Sequence, residues 1–380
     1  MERVERDNSF TFLRLIFALS VVVAHSFALG RFGLDPLQRA SHGQTDLGSL
    51  GVICFFIVSG YLITASALRL PIRRFAFNRC ARILPGFIAV QLLTVFVLVP
   101  AVIQWTYPGV AEYWDCFVLE PDSAVSYLTR NAFLFIEQYK ISFVFTKNPG
   151  NVAVNGSLWS LGPEAFCYLC LALLALCHGL RHRFASVLVF AAVYAAHVFA
   201  TANPAAFMKL LLPLGEGQVQ MLNSPIVRSA FLGFAAGMVF FQFRERVKWN
   251  GWLFGGALLG LCGTLFLKGF SYTWPFFLPY IVFALAFNLP FKRMERWGDF
   301  SYGIYIYAFP IQQCLALPGL FPQGLPGLGV GLFITFSILL SCLAGVASWY
   351  LIEAPVLRWA RSRDRSTVPK PNGAAEALVS

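Results

Sequence analysis

The sequence predicts an all-α protein, a polytopic transmembrane helix bundle with about ten spans and both termini in the cytoplasm. Of its 380 residues, 58% are hydrophobic and only 12% are charged, about half the charged fraction of a typical soluble domain. The apolar residues form long runs between short basic connectors. The stretch 300–352 contains no Asp, Glu, Lys or Arg and is interrupted only by Pro and Gly at 318–327. It is therefore long enough to cross a bilayer twice.

Ten apolar segments follow one another along the chain, each close to the roughly 20 residues that cross a bilayer. The first contains Arg14 and His25 and is too long for a cleavable signal, so we expect it to be a span. The apolar stretch 205–214 is left open as a re-entrant or interfacial segment. The predicted spans are 10–29, 47–68, 83–104, 157–177, 185–201, 226–243, 252–268, 273–290, 300–317 and 328–352.

The distribution of basic residues predicts the orientation of these spans. With the N-terminus inside, the cytoplasmic segments hold 20 of the 29 Lys and Arg residues. Such a bias places both termini in the cytoplasm and explains the net charge of +11 without a nucleic-acid partner. We therefore expect a multi-pass protein of the cytoplasmic (inner) membrane, surrounded by its lipids. The segments counted are the N-terminus, 69–82, 178–184, 244–251, 291–299 and the tail.

The chain divides into one membrane domain, 1–361, and a short tail, 362–380. The tail is polar and rich in Pro, Ala and Gly, a composition typical of disorder. The longest predicted outer loop, 105–156, is expected to form a partly ordered cap over the outer face.

Ionisable side chains within spans indicate function, because each costs about 2.5–3.5 kcal/mol at the centre of the membrane. Arg14 and His25 are 11 residues apart, close to three helical turns, so they share one helix face at a separation of ~16 Å. Glu164 lies two turns into the fourth span. The depths of His25 and Glu164 are predicted to match, so that Glu164 orients His25 as a general base.

Alternatives remain for each of these residues. Arg14 could reach the inner headgroups, His25 could be a structural imidazole, and Glu164 could pair with the backbone or water. A bundle with buried Arg, His and Glu also suits a proton-coupled transporter or flippase for a lipid-linked saccharide. No metal is predicted, since no pair of His or Cys has the spacing and depth of a ligand set.

Six short motifs occur in one order along the chain, and with them the sequence resembles the acyltransferase-3 family of integral membrane acyltransferases. The resemblance covers roughly residues 10–360. The motifs are Arg14 and His25 separated by ten residues, CFFIVSGYLIT at 54–64, RCAR at 79–82, SLWSLGPEAFCY at 157–168, SYGIYIYAFP at 301–310 and SWYLIEAP at 348–355.

The resemblance implies transfer of an acyl group, usually acetyl, from cytoplasmic acyl-CoA to a hydroxyl of an extracytoplasmic or lipid-linked glycan. The donor would be acetyl-CoA. It also implies that His25 is the essential histidine and Arg14 its partner. Two departures are present. Ala308 stands where many members carry His, and the tail is too short for the outer hydrolase-like domain of two-domain members. A separate extracytoplasmic partner is therefore left open.

The resemblance assigns Arg79 and Arg82 to the phosphates of CoA, and Arg73 and Arg74 extend the same basic rim. Glu353 is expected to pair with one of the rim arginines. Ser59 and Gly60 are small enough to let the pantetheine chain pass between helices, although small residues are also ordinary packing sites. His25 would either take the proton of the acceptor hydroxyl or carry the acyl group itself.

Overall fold

The computed structural model describes residues 8–106, 114–320 and 327–366, and this part of the chain is helical with no strand. Short helices at Pro36–Ala40, Ala124–Arg130, Pro204–Leu211 and Glu216–Asn223 connect eleven longer ones. The longer helices are α1 (Phe10–Leu29), α2 (Leu47–Arg69), α3 (Ile72–Thr106), α4 (Gly156–Leu176), α5 (Arg183–Ala202), α6 (Pro225–Gln242), α7 (Gly251–Phe266), α8 (Phe270–Asn288), α9 (Ser301–Leu315), α10 (Leu328–Ser348) and α11 (Ala354–Ser366).

The predicted all-α membrane bundle is confirmed. Within the described ranges, eight helical segments are long and apolar enough to cross a membrane: α1 to α6, α8, and the continuous segment Leu328–Arg363 formed by α10 and most of α11. The other two predicted spans correspond to shorter helices, α7 with 16 residues and α9 with 15. The chain is a multi-pass membrane protein, and the count of ten spans stays a prediction.

The third helix begins earlier than predicted. The segment 69–82 was expected to be a cytoplasmic loop, but α3 starts at Ile72, directly after a tight turn at Leu70 and Pro71. Packing explains the difference, because Phe75 and Ile83 are buried in the largest apolar cluster of the bundle. Residues three apart lie on one helix face, so Arg79 and Arg82 project in similar directions.

Helix α2 lies at the centre of the bundle and crosses α6 closely. A Cβ atom at Gly60 would overlap the backbone carbonyl of Phe234, and one at Gly237 would overlap the carbonyl oxygen of Ile57. The second central helix is α9, in which all ten residues of Ser301–Pro310 are buried. It packs against α1 and α10. Both helices line the candidate site.

The two ends of the bundle differ. The arginine end holds Arg14, Arg79 and Arg82, and the loop end holds the segment 114–155. Part of that segment packs its apolar side chains, including Tyr127 and Phe145, against the second half of α3. Its last residues enter the bundle, where the side-chain amide of Asn155 donates to the Ile306 carbonyl at 2.8 Å. Helix α4 consequently starts below the surface of the bundle.

The last helices form a single rod with one irregular turn. Helix α10 continues through a π-helical turn, Trp349–Glu353, into α11, which ends at Ser366. The first five residues of the predicted tail, 362–366, are therefore helical. The rest of the predicted disordered tail, 367–380, lies outside the described residues.

Candidate functional site

A cavity of about 390 Å³ opens at the arginine end of the bundle, between α1, α2, α3, α4, α9 and α11. Its walls combine apolar side chains such as Val52 and Phe55 with ionisable ones. Five of the eight residues that the sequence assigned to the site line this cavity: Arg14, Ser59, Arg79, Arg82 and Glu164. The fold therefore brings together residues from four separate motifs.

An ion-pair network forms one wall of the cavity. One oxygen of Asp299 lies 2.5 Å from Nη1 of Arg14 and 2.8 Å from Nη2 of Arg82. The other terminal nitrogen of Arg82 lies 3.1 Å from the buried carboxylate of Glu353. Ser348 donates a hydrogen bond to that carboxylate at 3.0 Å. The predicted pairing of Glu353 with a rim arginine is confirmed, and the network has two cations and two anions.

Asp299 is a site residue that the sequence analysis missed. Burial by itself raises its pKa, but Arg14, Arg82 and a hydrogen bond from Ser301 outweigh this effect and hold the pKa below its ordinary value of 3.8. The carboxylate is therefore charged at neutral pH. The signal in the sequence was weak: an acidic residue in a basic connector, two residues before the motif at 301–310.

Arg79 differs from Arg82 in its surroundings. Both line the cavity, but both terminal nitrogens of Arg82 bind carboxylates, and its guanidinium lies over the rings of Tyr302 and Trp349. The Nε of Arg79 is buried without a hydrogen-bond partner, and no described carboxylate forms an ion pair with this side chain. Arg79 is therefore available to an anion in the cavity.

Glu164 does not meet His25, which corrects the predicted pairing. Its carboxylate accepts hydrogen bonds from the hydroxyls of Ser59, at 3.3 Å, and Tyr168. Tyr168 is four residues further along α4 and belongs to the quoted motif, yet it was not assigned a role. The Glu164, Ser59 and Tyr168 side chains form a polar group on the wall of the cavity at the arginine end.

His25 lies nearer the loop end, outside the cavity. Its ring packs edge-on against Phe309, with the centroids 5.1 Å apart, and its Nδ1 has no hydrogen-bond partner among the described residues. The start of α4 explains why Glu164 is remote. Gly156 abuts the same Phe309 ring, and Glu164 is eight residues further on, about 12 Å along a helix axis. The predicted depths were wrong because α4 begins inside the bundle.

The gap between the cavity and His25 is short. Tyr305 lines the cavity, and Phe309, which contacts His25, lies one turn further along α9. One turn corresponds to about 6 Å along the axis. The part of the cavity at Tyr305 therefore lies one helical turn of α9 from the residue that contacts the imidazole.

The remaining predicted residues lie elsewhere. Arg73 and Arg74 are exposed in the first turn of α3 and do not line the cavity. Gly60 contacts the backbone of α6, so it is a helix-packing residue and offers no passage for a ligand. Among residues 8–106, 114–320 and 327–366, no group of three or more His, Cys, Asp or Glu is placed to hold a metal.

The chain is similar in sequence to known proteins along most of its length. A family model described as "Acyltransferase domain" matches residues 7–351. The chain is 26% identical to an O-acetyl transferase of Shigella phage Sf6, over 82% of this chain and 86% of that protein. It is also 26% identical to Nodulation protein 10 of Rhizobium leguminosarum bv. viciae, over 92% and 93% of the two chains. No solved structure matches the chain.

Proposed function

This chain belongs to the acyltransferase-3 family of membrane enzymes, and we propose that it moves an acetyl group from cytoplasmic acetyl-CoA to a hydroxyl of an extracytoplasmic or lipid-linked glycan. The O-acetyl transferase name of one relative supports acetyl as the group. The observation that carries the proposal is the cavity at the arginine end. It contains Arg79, which has no carboxylate partner among the described residues, and it reaches Tyr305, one helical turn from the Phe309 that contacts His25.

The orientation follows from charge. We propose that the arginine end faces the cytoplasm, because basic residues concentrate on the cytoplasmic side of membrane proteins. Ten spans, with α7 and α9 included, then place both termini inside and the segment 114–155 outside. Acetyl-CoA is made and held in the cytoplasm, so a cavity open to the arginine end receives the donor without moving it across the membrane.

The donor site combines charge with an apolar channel. Arg79 binds a phosphate of CoA, since a guanidinium matches phosphate geometry. The pantetheine arm lies along Val52, Phe55 and Ser59 with its thioester towards Tyr305. Arg82 and Arg14 act indirectly. Their ion pairs with Asp299 and Glu353 hold α1, α3 and α9 at the spacing that keeps the cavity open.

His25 acts as the general base for the acceptor. Its free imidazole nitrogen takes the proton of the acceptor hydroxyl while the oxygen attacks the thioester carbonyl. The C–S bond then breaks, and the CoA thiolate receives the proton from the imidazolium. The same nitrogen could attack the thioester directly and carry the acetyl group to the acceptor. Neither route requires a carboxylate at His25, which suits the position of Glu164 on the donor side.

The test uses purified protein in nanodiscs with radiolabelled acetyl-CoA, and measures both donor binding and the release or transfer of acetate. Wild type is expected to bind and slowly hydrolyse the donor. His25→Ala should bind it normally but lose at least about 100-fold in turnover, the usual share of a general base. The matched control is His197→Ala, because His197 is a buried imidazole that contacts the Ser271 carbonyl and does not line the cavity. It should keep wild-type turnover per folded molecule. A wild-type protein that neither binds nor cleaves acetyl-CoA contradicts the proposal.

A further inference from the structure

Helix α11 contributes to the cavity although it lies beyond the family match, which ends at residue 351. Leu357, Ala360 and Arg361 line the cavity. These residues are spaced three and four apart, so they occupy one face of α11. The site therefore has one wall from a segment that follows the matched residues 7–351.

Packing holds α11 in this position. Ala360 is buried, and the ring of Trp359 contacts that of Phe77 on α3 with a centroid separation of 5.9 Å. The preceding π-helical turn is fixed as well, because Trp349 lines the same cavity and Glu353 binds Arg82. The position of Arg361 in the cavity lining is thus set by contacts of the residues that precede it, from Trp349 to Ala360.

The charges in the cavity do not balance. Arg14 and Arg82 are compensated by Asp299 and Glu353. Arg79 and Arg361 are not, since no carboxylate within the described ranges forms an ion pair with either one. The single further acid in the lining, Glu164, binds two hydroxyl groups. Two guanidinium groups without acidic partners in one cavity favour a ligand with more than one phosphate.

We propose that Arg361 binds a phosphate group of the acyl-CoA donor together with Arg79, so that α11 forms part of the donor site. The inference rests on the proposed donor and extends its binding site to a residue that none of the quoted motifs contains. CoA carries a diphosphate and a 3′-phosphate at its nucleotide end, enough for both arginines. Arg82, with its terminal nitrogens occupied, positions the wall and leaves phosphate binding to these two.

Assays with two acyl donors distinguish a role of Arg361 in phosphate binding from a structural effect on α11. Acetyl-CoA carries the phosphates, and S-acetylpantetheine presents the same thioester without them. Arg361→Ala is expected to raise the KM for acetyl-CoA about tenfold or more, the loss of one charge-assisted contact. Its rate with S-acetylpantetheine should remain that of wild type. Arg361→Lys should recover part of the affinity, since it restores the charge.

The matched control is Arg358→Ala, on the same helix but exposed and outside the cavity lining. It should leave both donors unaffected. An unchanged KM for acetyl-CoA in Arg361→Ala overturns the inference, and so does an equal loss with both donors, which would assign α11 a structural role. In either case wild-type binding of acetyl-CoA would still support the proposed function, whereas wild type that binds no CoA would end both.

Discussion

Nη1 of Arg14 lies 2.5 Å from Oδ2 of Asp299 and thereby joins the first helix of the bundle to the turn before α9. Arg82 binds the same oxygen from α3. One carboxylate therefore ties three helices together at the cavity wall. Part of each side chain remains accessible, 26% for Arg14 and 18% for Asp299. The pair is nevertheless shielded enough from solvent that its loss should lower the free energy of unfolding measurably.

Asp299→Ala is expected to destabilise the protein by about 3 kcal/mol, the lower end of the range for removing one partner of a buried pair. The reason is that Arg14 loses its partner and Arg82 keeps only Glu353. Thermal unfolding in detergent measures the effect. Asp122→Ala is the control, because its pair with Arg130 is 3.7 Å long and half exposed, so it should unfold like wild type. Equal melting temperatures for all three proteins would contradict the network.

The same carboxylate predicts a dependence of stability on pH. Because the folded-state pKa of Asp299 lies below its ordinary value of 3.8, its contribution is complete above that pH and is lost as the pH falls through the lowered pKa. The melting temperatures of wild type and Asp299→Asn should differ by a constant amount between about pH 5 and 8. The difference should shrink only below about pH 4. A difference that shrinks near neutrality would assign the effect to another group.

Arg79→Ala is expected to weaken CoA binding about tenfold or more, because the cavity loses a guanidinium that no described carboxylate neutralises. Competition of unlabelled CoA against radiolabelled acetyl-CoA measures the change. Arg74→Ala provides the comparison, since Arg74 precedes Arg79 on the same helix but does not line the cavity. Its affinity should stay within about twofold of wild type. A greater loss in the Arg74 variant would move the donor site to the exposed rim.

Gly60→Ala is expected to impair assembly of the bundle, because the added methyl group overlaps the Phe234 carbonyl and forces α2 and α6 apart. Overpacking of this kind costs about 1–3 kcal/mol. Gly255→Ala is the matched change, as no atom lies within 4 Å of the Cβ position there. The fraction of monodisperse protein after size exclusion should fall for the first variant and not for the second. Equal recovery of monodisperse protein for the two variants would show that the crossing of α2 and α6 can accommodate an added methyl group.

Much of the fold was predictable because bilayer crossing depends on local composition. The order of the helices is visible in the sequence as a series of apolar runs. Arg79 and Arg82 were recognised as candidate site residues, but the sequence placed them in a loop and not on α3. The site was less predictable where it depended on how deep a side chain lies in the bundle. The pairing of Glu164 with His25 assumed that the fourth span begins at the surface, but the hydrogen bond from Asn155 to Ile306 places its start inside the bundle. That contact joins residues 151 positions apart, and no local pattern signals it.

Asp299 illustrates a second limit. Its neighbours in the sequence are ordinary connector residues, and its partners Arg14 and Arg82 come from the first and third helices. The ion pairs exist only after α1, α3 and α9 have packed. The family motifs include the arginines but not the acid that binds them. The sequence therefore could not show that Arg82 forms ion pairs with carboxylates and that Arg79 does not.

The complete burial of Ser301–Pro310 in α9 bears on how the protein is made. A helix of 15 residues is short for independent residence in lipid, and here its faces are covered by neighbouring helices. We therefore expect α9 to leave the translocon only after the earlier helices that pack against it, such as α1, have been inserted. Nascent chains that end before α10 would expose its polar side chains to lipid, and membrane quality-control proteases should remove them. Synthesis of α10 is then the step that commits the chain to a stable bundle.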